Sequence, residues 1–392
     1  MTGQAPARIG LTTHLPGLFF PKDGRPQPAK LVPQLNTEHV TIAERLKEAD
    51  YASAFLGKWH IAPGIGRGGK VADDVSPIGQ GFDINVGGTS YGGPPSFFSP
   101  YRNGELTDGP DGEYLPDRLV NETIQFIKAN KEGPFFLYLP HTMVHLPLAV
   151  SKAFEGRTGK LIWDAIEEVD WSVGQILKTV KELKIADNTL VVFTSDNGAA
   201  VGTSLPLRAK KGSVYDGGIR EPTVMWWPGK IPAGKVCREV AATIDLLPTL
   251  AKLSGGKLSG RKIDGKNIWP LMSGKPGAKS PHEHYVLMHG PGTVRSGKWK
   301  FYPWQEGRGG RRDAKKKNLS PDPVQLYDTV ADISETKNLA ATNPDITKRL
   351  QTAYDDHLAD IKKNRRPTQV MKRSKKALSP NRPNQPKKPK KK

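Results

Sequence analysis

Short apolar runs alternate with amphipathic segments through the first 275 residues. The runs at 52–56, 134–139, 190–194 and 224–227 are compact and apolar, which is the pattern of buried strands. Between them, apolar residues recur every three or four positions, as in helices that pack on a sheet. We therefore predict an α/β fold, with a mostly parallel mixed sheet sandwiched by helices.

The helical segments are predicted at residues 41–49, 117–130, 163–183 and 242–254. The third is the clearest, because one apolar stripe continues through it at helical spacing. That stripe consists of Ile162, Ile166, Val169, Val173, Ile176, Leu177 and Val180. In the fourth helix, Pro248 predicts a kink.

The pattern changes after residue 275. Short strands are expected at 285–288, 293–295 and 298–302, and a last helix at 345–361. These elements indicate a small α+β subdomain with an antiparallel sheet. We therefore divide the chain into an α/β domain over 1–275, a C-terminal subdomain over 276–361 and a tail over 362–392.

The segment at 61–116 is rich in glycine and proline. We expect it to be a long surface excursion beside the sheet, where such loops often shape substrate pockets. The basic strip at 308–317 is a second candidate for contacts with substrate.

The net charge of +20 comes mostly from the tail. Residues 361–392 contain 14 Lys or Arg and no Asp or Glu, so residues 1–360 carry only +6. The tail is poor in apolar residues and is expected to be disordered. It is either a polyanion-binding arm or a solvated tail without a partner, and its lack of aromatic residues favours the second interpretation.

Cys237 is the single cysteine, which excludes a disulfide within the chain. We expect it in a passage from loop to strand, as a structural thiol and not as a nucleophile. No run of residues has the length and apolarity of a membrane span.

Candidate chemistry follows the predicted strands. Asp196 and Asn197 come directly after the run at 190–194, and their oxygens suit Ca²⁺ or Mg²⁺. Lys58 and His60 follow the run at 52–56, two positions apart. Since parallel strands end at one edge of a sheet, these groups are expected to meet there.

Two further segments extend this pattern. His141 and His145 follow the strand at 134–139, and the spacing alone does not decide which of them has a role. Lys211 precedes a glycine-rich passage that lets it reach an anion near Asp196. Together the four segments indicate a site for a tetrahedral oxyanion ester beside a hard metal ion, which would stabilise developing negative charge.

The chain resembles the type I sulfatases of the alkaline phosphatase superfamily over residues 1–360. The matching segments occur in family order, and their combination is specific although none is specific alone. They are Gly57-Lys58-Trp59-His60, His145-Leu146-Pro147, Thr194-Ser195-Asp196-Asn197-Gly198, Lys211-Gly212, Gly217-Gly218-Ile219-Arg220-Glu221-Pro222, Glu167-Glu168-Val169-Asp170, Asp264-Gly265-Lys266-Asn267 and Leu326-Tyr327-Asp328.

The resemblance implies an alkaline phosphatase-like fold and hydrolysis of sulfate monoesters. It implies that Asp196 and Asn197 ligate a metal ion, usually Ca²⁺, with Mg²⁺ as the alternative. Lys58 and His60 would orient and activate the nucleophile, and His145 and Lys211 would hold the sulfate group. His141 has no firm counterpart in the family.

The nucleophile of the family is formylglycine, which is formed from Cys or Ser in a Cys/Ser-x-Pro-x-Arg motif. That motif lies just before a Thr-Gly-x-x-Pro-x-Arg-x-Gly segment, which residues 2–10 match. The resemblance thus implies that the nucleophile and a strand with paired metal-binding Asp residues precede residue 1. We expect a sequence truncated at its N-terminus, without sulfatase turnover, and with edges exposed where the missing strand would pair.

Two other functions stay open. The chain could be a non-catalytic remnant that binds anions or sulfated glycans, or a related phosphodiesterase or phosphonate monoester hydrolase. Lys58, His60, His145 and Lys211 favour a sulfatase with one metal ion over a phosphatase with two. The residues do not identify the sulfate ester, which could be a small molecule or a glycan. For the full-length protein, the resemblance implies export to the periplasm or the extracellular space.

Overall fold

The computed structural model describes residues 1–11, 34–62, 68–90, 92–258, 262–288, 292–303 and 324–364. The helices are α1 (Pro6–Ile9), α2 (Ile42–Lys47), α3 (Leu115–Asn130), α4 (Leu161–Glu182), α5 (Asp216–Ile219), α6 (Leu246–Ser254), α7 (Trp269–Met272) and α8 (Pro344–Asn364). The strands are β1 (Ala52–Leu56), β2 (Ile84–Val86), β3 (Phe135–Tyr138), β4 (Val191–Thr194), β5 (Thr223–Trp226), β6 (Tyr285–Leu287), β7 (Thr293–Ser296), β8 (Trp299–Tyr302) and β9 (Gln325–Asp328).

Strand β1 is the middle of a three-stranded parallel sheet in the order β2-β1-β3. One face of the sheet buries Phe55 against Trp59 and Phe82. The other face buries Leu56 with Leu119 of α3. A strand with apolar neighbours on both faces explains the continuous apolar run that predicted it. The parallel sheet covered by helices confirms the predicted fold class.

Helix α2 begins at a complete capping box. The Thr41 hydroxyl accepts a hydrogen bond from the Glu44 amide, and the Glu44 carboxylate accepts one from the Thr41 amide at 2.7 Å. The cap fixes where α2 starts. Ile42 and Leu46 then point towards Leu247 of α6.

Strands β4 and β5 form a separate antiparallel pair. The expectation that β3 and β4 are buried was wrong: all of β3 and β4 is half-buried or exposed, and Phe193 is 37% exposed. Among the described residues, β3 has no strand partner on the side away from β1, and β4 pairs only with β5. Because these edges are unpaired, side chains of β3 and β4 that a neighbouring strand would cover are in contact with water.

Helix α4 shows the same departure from expectation. Its apolar stripe is present, but only Val180 of the stripe is buried, and Ile166 is 40% exposed. The periodicity therefore predicted the helix correctly, but its apolar stripe is less buried than expected. Periodicity shows which face of a helix is apolar, whereas the burial of that face depends on what lies against it.

The C-terminal residues form a four-stranded antiparallel sheet in the order β6-β7-β8-β9. Helix α8 covers it with Leu350 and Tyr354, which pack against Val294 and Phe301. This confirms the predicted antiparallel sheet and the last helix. The sequence pattern had not predicted β9 as a strand.

The segment at 61–116 is not only a surface excursion. It supplies strand β2 and buries Phe82 and Tyr101, each at most 1% exposed. Glycine and proline hid these elements, since short strands between tight turns leave little periodicity. Pro248 lies in the first turn of α6, where its missing N–H breaks no helical hydrogen bond.

Cys237 is exposed and lies outside the described strands, so its expected place in a loop-to-strand passage was wrong.

The basic strip at 308–317 and the tail from residue 365 onwards lie outside the described residues. Within the described part of the chain, no helix is long and apolar enough to cross a membrane.

A buried ion cluster ties the start of the described chain to its last helix. The Arg8 side chain is 3% exposed and donates to Asp264 and to Asp360 of α8, both at 2.6 Å. Burial raises the pKa of Asp360, but hydrogen bonds from Lys262 and Arg8 outweigh it and lower that pKa to about 2.

We expect this cluster to lose its stabilising effect in acid. The folded-state pKa of Asp360 lies below its ordinary value, so the contribution is present above about pH 4 and fades as the pH falls towards 2. In urea unfolding, Arg8→Met should therefore destabilise the chain more at pH 7 than at pH 2.5. Lys178→Met, which removes the exposed pair with Glu182, is the control. An equal Arg8→Met effect at both pH values would contradict this account.

Candidate active site

The first site segment leaves β1 through Gly57. Its φ is +124°, and a Cβ there would meet the Pro140 carbonyl oxygen at 2.4 Å, so only glycine fits. The Lys58 amide donates to the same carbonyl at 3.1 Å. This close passage brings Lys58 to the end of β3 as well as that of β1.

His60 lies two residues further on. It is half-buried, and its amide donates to the Thr89 carbonyl at 3.2 Å. Trp59 between them is structural, because its ring is buried against Phe55 and its Nε1–H donates to the Val75 carbonyl at 2.9 Å.

Asp196 and Asn197 follow the end of β4. The Asp196 carboxylate is 70% exposed, and its Oδ2 lies 3.6 Å from Lys58 Nζ. These two groups are 138 positions apart in the sequence. The ends of β1 and β4 therefore meet at one place, although β4 belongs to a separate antiparallel pair and not to the parallel sheet that the strand-end argument assumed.

The Lys211 segment lies against the Asp196 segment through backbone contacts. The Lys211 amide donates to the Ala199 carbonyl at 3.2 Å, and the Gly198 amide donates to the Gly218 carbonyl at 3.0 Å. A Cβ on Gly198 would lie 2.0 Å from the Gly217 carbonyl oxygen. The glycines allow the two segments to touch, while the Lys211 side chain stays exposed.

His145 is half-buried beside these charges. Burial lowers its pKa, as do the positive charges of Lys211 and Lys58, while the Leu146 carbonyl and Asp196 oppose the shift. His145 is therefore neutral at pH 7. Burial lowers the pKa of His141 to about 4, so that ring is neutral too.

The structure brings Lys58, His145, Asp196 and Lys211 within electrostatic reach of one another. His60 and Asn197 follow the same two strand ends. Two cations, a neutral imidazole and an exposed carboxylate make a site that can accept an anion and a cation side by side.

Glu221 was not singled out from the sequence, although it lies in the quoted glycine-rich segment. Its Oε1 is buried, and no group of the described residues forms a hydrogen bond with it. Burial raises its pKa to about 7, and the nearby charge of Asp196 adds to this shift. Only the folded structure shows its proximity to Asp196.

Residues 204–208 repeat the Ser-x-Pro-x-Arg spacing of the expected nucleophile motif. Ser204 Oγ donates to the Gly217 carbonyl at 2.9 Å. The Arg208 guanidinium donates to the Glu335 carbonyl and stacks over the Tyr215 ring, 3.8 Å from its centroid. These contacts stabilise the loop that carries Lys211. We therefore do not assign Ser204 as a nucleophile.

A buried ion cluster, which we call the brace, holds that loop to the C-terminal sheet. Lys300 of β8 is 1% exposed and pairs with the carboxylates of Asp216 and Glu335. The second Glu335 oxygen accepts the Asp216 amide at 2.7 Å, and the Tyr302 hydroxyl also donates to Glu335. Asp216 opens α5, which contains the glycines that touch Gly198.

Comparisons with known proteins identify the family of this chain. A family model described as Sulfatase matches residues 1–256. N-acetylgalactosamine-6-sulfatase of Canis lupus familiaris is 32% identical over 342 residues, covering 78% of this chain and 61% of that protein. Arylsulfatase A of Homo sapiens is 29% identical over 401 residues, covering 90% of this chain and 75% of that protein.

Among solved structures, Ps i-CgsB in complex with k-i-k-neocarrahexaose has a TM-score of 0.74 and 25% identity. The match covers 96% of this chain and 83% of that one. The chain therefore belongs to the sulfatase family. It spans 61% of the length of the canine N-acetylgalactosamine-6-sulfatase.

Proposed function

We propose that the site at the ends of β1, β3 and β4 binds a sulfate monoester beside a divalent cation, in support of sulfate ester hydrolysis. The observation that carries this proposal is the 3.6 Å approach of Lys58 Nζ to Asp196 Oδ2 across the two sheets. Lys58, His145 and Lys211 would contact the sulfate oxygens, and His60 would move or hold a proton beside them. A sulfated sugar is the substrate class that we favour, given the names of the similar proteins.

Asp196 and Asn197 fit a hard cation in chemistry but supply only part of a coordination sphere. Calcium takes six to eight oxygen ligands, and the described residues contain no cluster of three or more His, Cys, Asp or Glu placed to hold a metal. Asp196 is open to an incoming ion, and Asn197 follows it. Ca²⁺ is our first choice and Mg²⁺ the alternative. When bound, the ion would stabilise negative charge on the ester oxygens.

Formylglycine is the nucleophile that the family resemblance implies, and none of the residues that we assign to the site is its Cys or Ser precursor. We therefore propose that residues 1–392 bind the ester and the cation without turning the ester over. In that state, Lys58, His145 and Lys211 bind and orient the sulfate. The neutral His145 contributes hydrogen bonds and no charge.

The proposal is tested by calorimetric titration of the 392-residue chain with 4-nitrophenyl sulfate, with and without CaCl₂. We expect Ca²⁺ to tighten sulfate binding and Asp196→Ala to abolish that effect. Asp187→Ala is the matched control, because Asp187 precedes β4 at the opposite end of the same strand. Ca²⁺-independent binding, or an Asp196→Ala chain that still responds to Ca²⁺, would refute the proposal. Tighter binding of 4-nitrophenyl phosphate would favour a phosphoester substrate instead.

A further inference from the structure

The backbone of His60 adopts an unusual conformation. Its φ is +55°, in the left-handed region that residues with a Cβ rarely occupy. Such strained positions persist only where surrounding contacts hold them, and they cluster at functional sites. One such contact is the hydrogen bond from the His60 amide to the Thr89 carbonyl.

The His60 imidazole lies directly against Gly92. A Cβ on Gly92 would be 2.6 Å from both Cε1 and Nδ1 of the ring, which is closer than real Cβ atoms approach other atoms. Gly92 is buried, and its φ is outside the left-handed region, so its backbone conformation would accept a side chain. The ring, and not the backbone, is therefore what requires glycine at this position.

The next residue provides a natural contrast. Gly93 also has an ordinary φ, and no described atom lies within 4 Å of the position of its Cβ. Two adjacent glycines of one loop thus differ in their contact with His60, and Gly93 is also less buried than Gly92.

We propose that Gly92 is a positioning residue for His60. With no side chain at 92, the loop can lie directly beside the imidazole, while Thr89 fixes the His60 backbone from the same loop. Together they hold the ring in one position two residues beyond Lys58. Any side chain at 92 must turn the ring away. The inference depends on the proposed function in one point only, which is the role of His60 beside the bound sulfate.

The test is NMR of the 392-residue chain with ¹³C-labelled histidine. The chain has nine histidines, and the His60 signal is assigned by its loss in His60→Gln. We expect Gly92→Ala to shift the His60 Cε1–H signal by more than its linewidth and to leave the other histidine signals in place. Gly93→Ala should shift none of them. An unmoved His60 signal in folded Gly92→Ala would overturn the proposal.

A thermal unfolding cycle covers the case in which Gly92→Ala folds too poorly for NMR. Overpacking against the ring should lower Tm by about 2–5 °C. Removing the ring should remove the conflict, so Gly92→Ala should cost little in a His60→Ala background. An equal loss of Tm in both backgrounds would show that the ring is not the obstacle, and would also overturn the proposal.

The two proposals can fail separately. A Gly92 effect on His60 in a chain that binds no 4-nitrophenyl sulfate would support the positioning role and contradict the proposed function. Sulfate binding by a chain in which Gly92→Ala leaves His60 unmoved would do the reverse.

Discussion

Lys300→Met should lower the free energy of unfolding by about 3–5 kcal/mol, the largest stability effect that we expect from one substitution. Lys300 is the cation of the brace and is 1% exposed. Without it, the Glu335 carboxylate has no other ion pair among the described residues, and Asp216 keeps only the half-exposed Arg220, whose guanidinium lies 3.7 Å away. An uncompensated buried charge costs more than a lost surface pair, because water cannot screen it.

Urea unfolding at pH 7 measures this effect, with Lys298→Met as the control. Lys298 is 51% exposed and pairs with Asp328, so its loss should cost about 0–1 kcal/mol. Adding Glu335→Gln to Lys300→Met should recover part of the loss, since it removes the charge of the buried carboxylate that has lost its pair. If Lys300→Met costs no more than Lys298→Met, the brace does not hold the C-terminal sheet to the Lys211 loop in the way that we describe.

Lys58→Met should change the binding of the two ligands in opposite directions. It removes a cation from the sulfate position, and one charge-assisted hydrogen bond is worth about 1.5–3 kcal/mol, or about 10- to 150-fold in affinity. It also frees Asp196 from a positive charge at 3.6 Å, so Ca²⁺ should bind more tightly. A residue that served only the fold would not produce this opposite pair of effects.

Calorimetric titration with 4-nitrophenyl sulfate and, separately, with CaCl₂ measures the two affinities. Lys47→Met is the matched control, because Lys47 also pairs with an aspartate, Asp83 at 2.6 Å, at the opposite end of the sheet. It should change neither affinity. If Lys58→Met weakened both ligands equally, the defect would be loss of folded protein. If it changed neither, Lys58 would not face the ligands.

The site was accessible from the sequence because its residues follow recognisable strands. Lys58 and Asp196 each follow a short apolar run by two residues, and strand ends are where the functional groups of α/β proteins collect. The sequence did not show that β4 pairs with β5 outside the parallel sheet. The folded structure confirms that they meet, at 3.6 Å. Glu221 and Gly92 left no such signal, because their importance comes from contacts with Asp196 and His60 that no local pattern encodes.

The sequence by itself determined the elements and their apolar faces, since a strand or a helix repeats its burial preference over a few neighbouring residues. It determined the order of the site segments and the family resemblance. The tertiary structure decided how deeply each element is buried and which elements pack or pair with each other. The half-exposure of β3 and β4 and the shallow stripe of α4 depend on which elements lie beside them. The brace joins Asp216, Lys300 and Glu335 across 119 positions of chain, and only folding makes such residues neighbours.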